Sequence, residues 1–240
     1  MGLRTVIRRR WTTELSNAAN QGRVARGLLL DPSSDIARLT SSRTQLSFEE
    51  WKFLHRSRLS NLPLFGTPGV AALDNRCRRC REDAETTSHI TSHCRVNLPE
   101  IGRRHDVILE ELANIIRKAS HEVRINQVFP GTTLRPDVVV TSSTPQLIID
   151  VTVPFDAPES LQAGYDLKVT QYGYLGHTLP FVVGAFGSWL PSNNAVATSL
   201  GIRPGAWRRL RRKSRLAAIQ GSMKIVANYL RSGDNDDGET

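Results

Sequence analysis

The sequence predicts an α/β protein: a mixed sheet flanked by helices, preceded by a helical linker region and a small zinc knuckle. Three observations carry this expectation. Residues 134–153, LRPDVVVTSSTPQLIIDVTV, read as two apolar strands joined around Thr144 and Pro145, with Asp137 in the first and Asp150 in the second. Residues 98–119 read as one long helix, because Ile108, Leu112, Ile115 and Ile116 recur at i, i+4, i+7 and i+8 and form one apolar stripe. All three cysteines of the chain lie between Cys77 and Cys94, at ligand-like spacing.

Along the chain, residues 10–60 read as short helices with polar breaks. LSFEEWKFLHRSRL starts a helix at Ser47, with Glu49 and Glu50 in its first turn. LPLFGTPGVAAL is a loop, punctuated by Pro and Gly, that leads into the cysteines. After the long helix, VRINQVF reads as a strand ending in a Pro-Gly turn, and the two acid-bearing strands follow. A helix is expected from about Pro158 to Tyr174, with Asp156 and Glu159 placed to cap it. LPFVVGAFG reads as a further strand, and His177 with the preceding YGYLG as core and turn chemistry. A long basic helix is expected over residues 205–231, then an acidic tail expected to be disordered.

At 240 residues the chain can hold one large domain or two small ones. Lys and Arg number 32 against 23 Asp and Glu, a formal charge of +9. The final GDNDDGET carries four of those acids, so the body is more basic still. Such a body suits nucleic acid or an anionic membrane surface, or is simply a solvated basic face. No run of 18 apolar residues occurs, so no membrane-spanning helix is expected. The basic start, MGLRTVIRRRWTTEL, lacks the apolar stretch of a secretory signal.

In CRRCREDAETTSHITSHC, Cys77 and Cys80 form a C-x-x-C pair whose short turn lets two thiolates face one ion. Cys94 supplies a third sulfur and His89 an imidazole, a closed tetrahedral set of the structural kind. His93 is the rival fourth ligand, but as the neighbour of Cys94 it is poorly placed to point at the same ion. An odd, clustered set of cysteines indicates a reduced compartment and zinc rather than a disulfide framework.

Asp137 and Asp150 are unusual in strands that otherwise read as buried, because a buried carboxylate needs a partner or a metal. Two adjacent strands can bring them to a common point, where hard oxygen ligands suit Mg²⁺ and metal-assisted phosphodiester hydrolysis. Strand-end positions facing water are the alternative. The following helix offers Lys168, with Tyr165 and Tyr172 on the same face. Glu110 and Glu111 are either an extra metal ligand or solvated helical acids.

These residues also carry a resemblance. RPD (Arg135, Pro136, Asp137), twelve residues and then Asp150 resemble the restriction-like endonuclease motif of site-specific non-LTR retrotransposons, the R-two group and its relatives. That nuclease belongs to the PD-(D/E)xK superfamily. In those polyproteins a Cys-Cys-His-Cys knuckle directly precedes the nuclease, as Cys77, Cys80, His89 and Cys94 precede it here. ETTSHITSHC looks like that knuckle, RRHD at residues 103–106 like the element opening the next helix, and RSRLSNLPL like the linker after the polymerase. The family lysine two positions after the second acid is replaced by Thr152, and Lys168 on the next helix is the natural substitute.

The resemblance implies a helical linker (1–70), a CCHC zinc knuckle (71–97), a restriction-like endonuclease domain (98–232) and an acidic tail (233–240). It implies a nuclear, metal-dependent DNA endonuclease with structural Zn²⁺ and catalytic Mg²⁺ or Mn²⁺ on Asp137 and Asp150. Its nick in double-stranded DNA would prime reverse transcription, with element RNA a further candidate partner. Expected DNA contacts are Arg104, His105, Arg135, Tyr172 and the basic ridge Arg208, Arg209, Arg211 and Arg212. No polymerase palm is present, so the chain looks like the C-terminal part of a longer polyprotein, either a truncated copy or a separate fragment. A catalytically inactive nucleic-acid-binding remnant and a nuclease selective for branched DNA remain as alternatives.

Overall fold

In the computed structural model, residues 3–31, 46–70 and 73–233 are described. Among the described residues, the chain opens with α1 (Leu3–Asn17), α2 (Gly22–Leu29) and α3 (Phe48–Arg58). The cysteine segment follows. Then come α4 (Leu98–Lys118), β1 (Val123–Ile125), β2 (Val138–Val140), β3 (Leu147–Thr152), α5 (Pro158–Tyr172), β4 (His177–Val182), α6 (Asn194–Ser199) and α7 (Pro204–Gly233). The start of α3 is set by a capping box: Ser47 accepts from the Glu50 N–H, and the Glu50 carboxylate accepts from the Ser47 N–H.

The four strands form one mixed sheet in the order β1-β2-β3-β4. β1–β2 and β2–β3 are antiparallel, while β3–β4 is parallel and joined through α5. β3 is covered on both faces, which is why LIID carries no polar alternation. One face packs against α4, with Ile108, Leu112 and Ile116 over Val138, Val140, Ile149 and Phe181. The opposite face lies under α5, where Leu161 and Tyr165 meet Val182 and Leu190. Side chains alternate along a strand, so Asp150, flanked by Ile149 and Val151 in the α4-side core, is directed toward α5.

A second core joins the rest of the molecule. Phe53 and Leu54 of α3, Cys77, Cys80, Ile90 and Cys94, and Ile219, Ile225, Val226 and Tyr229 of α7 share it with Phe155 and Phe186. The change at residue 97 is therefore a change of local structure and not a break in packing. α7 serves both cores: Trp207, Leu210 and Ala218 face the sheet core, and its later half faces the knuckle. Edge-on contacts among Phe181, Trp189 and Trp207, with centroids 5.3–6.0 Å apart, lock its first turns.

Several expectations are corrected. The strand in VRINQVF ends at Ile125, because Asn126 adopts φ +50° and leaves the extended region. Asp156 does not cap α5. Ala157 holds the N-cap position, and Asp156 is fully buried, accepting from the N–H groups of Phe186 (2.6 Å) and Ser188 (2.7 Å). α5 ends at Tyr172 and β4 begins earlier than expected, at His177. The expected acidic tail lies, from residue 234 on, outside the described residues. No described helix is long and apolar enough to cross a membrane.

Candidate functional site

Two clusters concentrate the reactive side chains. In the first, Cys77, Cys80, His89 and Cys94 are all buried, and their ligand atoms lie within 4.8 Å of one another. Cys77 Sγ and Cys94 Sγ stand 3.9 Å apart and Cys80 Sγ lies 3.2 Å from His89 Nε2. Two sulfurs bound tetrahedrally at about 2.3 Å would stand about 3.8 Å apart, so the spacing fits a structural metal such as zinc. His93 is exposed and outside the cluster, in keeping with the choice of His89. The thiols conflict with each other. Burial would raise Cys77, but the Cys80 N–H, the Tyr229 hydroxyl and the Arg79 N–H hold it down at about 6; burial and that neighbouring charge push Cys94 up. A divalent cation removes the conflict by stabilising every thiolate.

Sequence reading missed the support for this set. Tyr229 of α7 brings its hydroxyl 3.3 Å from Cys77 Sγ and 2.8 Å from Glu85 Oε2. Glu85 is fully buried and accepts a bidentate Arg78 pair and the Phe65 N–H, which lower its pKa against the raising effect of burial. Tyr229 lies 144 positions from Glu85 and 152 from Cys77, so spacing carried no signal of it.

The second cluster lies at one end of the sheet. The β2–β3 register pairs Val138 with Ile149, which sets Asp137 opposite Asp150 one step further on. Each carboxylate is tied to the other strand: the Asp137 N–H donates to Asp150 Oδ2 at 3.1 Å, and the Val151 N–H to Asp137 Oδ2 at 2.7 Å. From α5, Lys168 Nζ reaches Asp150 Oδ1 at 2.7 Å. Burial and the adjacent Asp137 charge raise the Asp150 pKa, and Lys168 opposes them. The expected trio of Asp137, Asp150 and Lys168 is thus brought together by two strands and one helix.

A fourth residue joins it. His105 of α4 places Nε2 3.0 Å from Asp137 Oδ2 and Nδ1 3.1 Å from Asp106 Oδ1. Burial would lower its pKa, but the Asp137 and Asp106 carboxylates outweigh that and hold it at about 9. His105 was expected to contact DNA; its ring lies against Asp137 and its side chain is 25% exposed. Among the described residues, only the Cys/His set gathers three or more Cys, His, Asp or Glu ligand atoms within 4.8 Å. The acid cluster is correspondingly looser.

The other expected contacts divide by burial. Arg104 is 2% exposed and bonds Ser222 Oγ (2.8 Å) and the Val153 carbonyl (3.1 Å), so its guanidinium is committed to the interior. A Cβ at Gly221 would stand 2.5 Å from Arg104 Cγ, which explains a glycine in mid-helix at that crossing. Tyr172 is also buried, with its hydroxyl 3.4 Å from the Arg135 carbonyl and its ring 5.8 Å from Lys168 Nζ. Arg135 is exposed. Of the basic ridge, Arg208, Arg209 and Arg212 are exposed, whereas Arg211 pairs with Asp31. Glu111 binds Lys213 at 2.9 Å, and Glu110 points to solvent. A groove of about 730 Å³ between α4 and α7 is lined by Lys118, Arg203, Arg209 and Lys213. Of the acids named above, only Glu111 lines it.

No family model matches the chain. Two curated proteins are similar to it, both described as "Retrovirus-related Pol polyprotein from type-1 retrotransposable element R2" and both from Popillia japonica. One is 26% identical over 219 residues, covering 84% of this chain and 45% of the relative. The other is 27% identical over 161 residues, covering 60% of this chain and 36% of the relative. The chain therefore spans less than half the length of the relatives it matches. This homology supports a retrotransposon origin.

Proposed function

We propose that the chain is the endonuclease module of a retrotransposon polyprotein, with a restriction-endonuclease-like core, acting in the nucleus on double-stranded DNA. One observation carries the reading: Asp137 and Asp150 stand opposite each other at the end of two paired strands, with Lys168 on Asp150 at 2.7 Å. Two hard carboxylates suit a divalent metal for phosphodiester hydrolysis, and an ammonium beside them suits the phosphate charge. Asp137 and Asp150 would hold Mg²⁺ or Mn²⁺, which supplies Lewis acidity and a nucleophile at neutral pH when bound.

The remaining work falls to the chain. Backbone N–H groups of Asp137 and Val151 fix the two carboxylates, so little reorganisation is needed at the moment of reaction. Lys168 holds its ammonium beside Asp150, where it can orient a water or steady charge on the phosphate. Exposed Arg135 lies next to Asp137 in sequence and can take a neighbouring phosphate. Lys213 meets Glu111, six residues or about 9 Å of helix rise along α4 from His105, and exposed Arg208, Arg209 and Arg212 lie within five residues of Lys213 on α7, where they can take the DNA backbone. The Cys/His set is structural in this reading.

A nicking assay on linear duplex and four-way-junction DNA, with and without Mg²⁺, tests the proposal. Metal-dependent nicks in linear duplex support it. Binding without cleavage under all conditions would reduce the chain to a nucleic-acid-binding remnant, and cleavage confined to the junction would make it a branch-selective nuclease.

A further inference from the structure

Resting on the reading of the chain as a nuclease on duplex DNA, we infer that the groove between the end of α4 and the start of α7 is a second DNA site. It grips the phosphate backbone of one strand at a distance from the acid pair. The first argument is charge. Lys118 of α4, Arg203 just before α7, and Arg209 and Lys213 of α7 line this groove of about 730 Å³. Glu111 is the one acid among its described lining residues, and Lys213 already meets it at 2.9 Å. Lys118, Arg203 and Arg209 are exposed, so their charge is open to a ligand. The first turn of α7 adds to it. Arg203 and Ala206 bring that turn to the rim, and it carries no acid to offset the positive end of the helix dipole.

The second argument is the lining. Ile115, Ile202 and Leu210 give the groove an apolar floor beneath its cations. That combination suits the sugars and phosphates of a backbone. None of its described lining residues is aromatic, so the bases of a single strand would find no stacking platform there. The lining therefore favours a strand whose bases are already paired. The third argument is position. α4 and α7 run antiparallel, with Glu111 on Lys213, Arg104 on Ser222 and Glu100 on Lys224, so the groove lies at one end of their seam. The end of α4 leads to Val123, which pairs with Val140, whereas Asp137 lies beyond the other end of β2. From His105, which touches Asp137, Lys118 is thirteen residues or about 20 Å of helix rise along α4. That distance is about six phosphates of one DNA strand. Duplex held at the acid pair can therefore reach the groove within one helical turn.

The test is binding of a fluorescent random-sequence duplex, three helical turns long, to the zinc-loaded full chain across a range of salt. Lys118→Gln combined with Arg203→Gln should weaken binding about tenfold or more and flatten the slope of log affinity against log salt by about two units. Arg117→Gln removes an exposed cation beside Lys118 but outside the groove, and should leave affinity and slope as they are. A photoreactive benzoylphenylalanine placed at Asn114, an exposed lining residue, should crosslink to the duplex in an otherwise unaltered chain. Unchanged zinc content and circular dichroism would show that the variants are folded. An unaltered slope in the double variant, an equal loss in Arg117→Gln, or no crosslink from position 114 overturns the inference. So does a single strand of DNA or RNA that binds more tightly than the duplex and loses that advantage in the double variant, which would make the groove a single-strand site. Metal-dependent nicking beside an unaltered slope would remove the groove site and keep the nuclease reading. A flattened slope and a crosslink in a chain that nicks no DNA would keep the groove site and remove the nuclease reading.

Discussion

The Cys/His cluster and the acid cluster differ in how complete they are. Cys77, Cys80, His89 and Cys94 converge within 4.8 Å inside an apolar core, braced by the Tyr229 hydroxyl on Cys77. Asp137 and Asp150 are instead shared among two backbone N–H groups, Lys168 and His105. A closed cage serves folding, because a four-ligand set leaves no open position for a substrate. A site whose charged groups already have exchangeable partners can admit a substrate and release a product. The contrast predicts that the two sites fail in different ways.

Removing zinc should cost the most, since structural zinc contributes apparent free energies of about 10–16 kcal/mol in finger peptides. Because Cys77 and Ile90 share a core with Phe53, Leu54, Ile225 and Tyr229, amide exchange should rise across α3 and the later half of α7 as well as the knuckle. Protection of β3 should persist. Exchange confined to residues 73–97 would break the shared-core account.

Next in size, Asp137→Ala should lower nicking by about 10³-fold, as loss of several kcal/mol of charge stabilisation implies. Zinc content should be unchanged, which keeps the two sites separable. Lys168→Ala should cost about 10²-fold. It should also move the acidic limb of the pH–rate profile upward, because Lys168 opposes the rise in the Asp150 pKa caused by burial and Asp137. An unmoved limb would detach Lys168 from Asp150.

What the sequence made legible follows from periodicity and local spacing. The apolar runs of β2 and β3, the α4 stripe and the four Cys/His ligands are set by short-range patterns, and the structure brings each of them together. What stayed hidden are the long-range partners of two arginines and a histidine. Arg104 reads as a surface cation until Ser222, 118 positions away, is seen to accept from it. Arg211 is taken out of the basic ridge by Asp31, 180 positions away. His105 meets Asp137 only because α4 packs across one face of the sheet. Charge and residue type do not encode a distant partner.

Stability should carry a smaller signature of the acid site. In metal-free protein His105 has its pKa raised to about 9 from an unfolded value near 6.5. Its contribution is therefore fully present below about pH 6.5 and is lost as pH rises through about 9. Thermal melts across that window should fall more steeply for wild type than for His105→Gln. Parallel curves would contradict the His105–Asp137 contact.

The smallest effect is expected on the surface. Replacing Arg208, Arg209 and Arg212 with Gln should flatten the slope of log affinity against log salt by up to about three units, at about 0.9 per phosphate contact. Sequence preference should not change, because phosphates carry no base identity. Arg211→Gln should change stability and leave the slope alone, since its guanidinium already faces Asp31.

The central claim is that the acid pair performs hydrolysis while the Cys/His set only holds the fold. Zinc-loaded protein, freed of other divalent ions, should be mixed with supercoiled plasmid and titrated with Mg²⁺ while near-ultraviolet circular dichroism is followed. The account predicts no nicking at zero Mg²⁺, nicking that saturates as Mg²⁺ is added, an unchanged dichroism spectrum throughout, and no response in Asp137→Ala. Nicking without Mg²⁺, or nicking by Asp137→Ala at the wild-type rate, would contradict it.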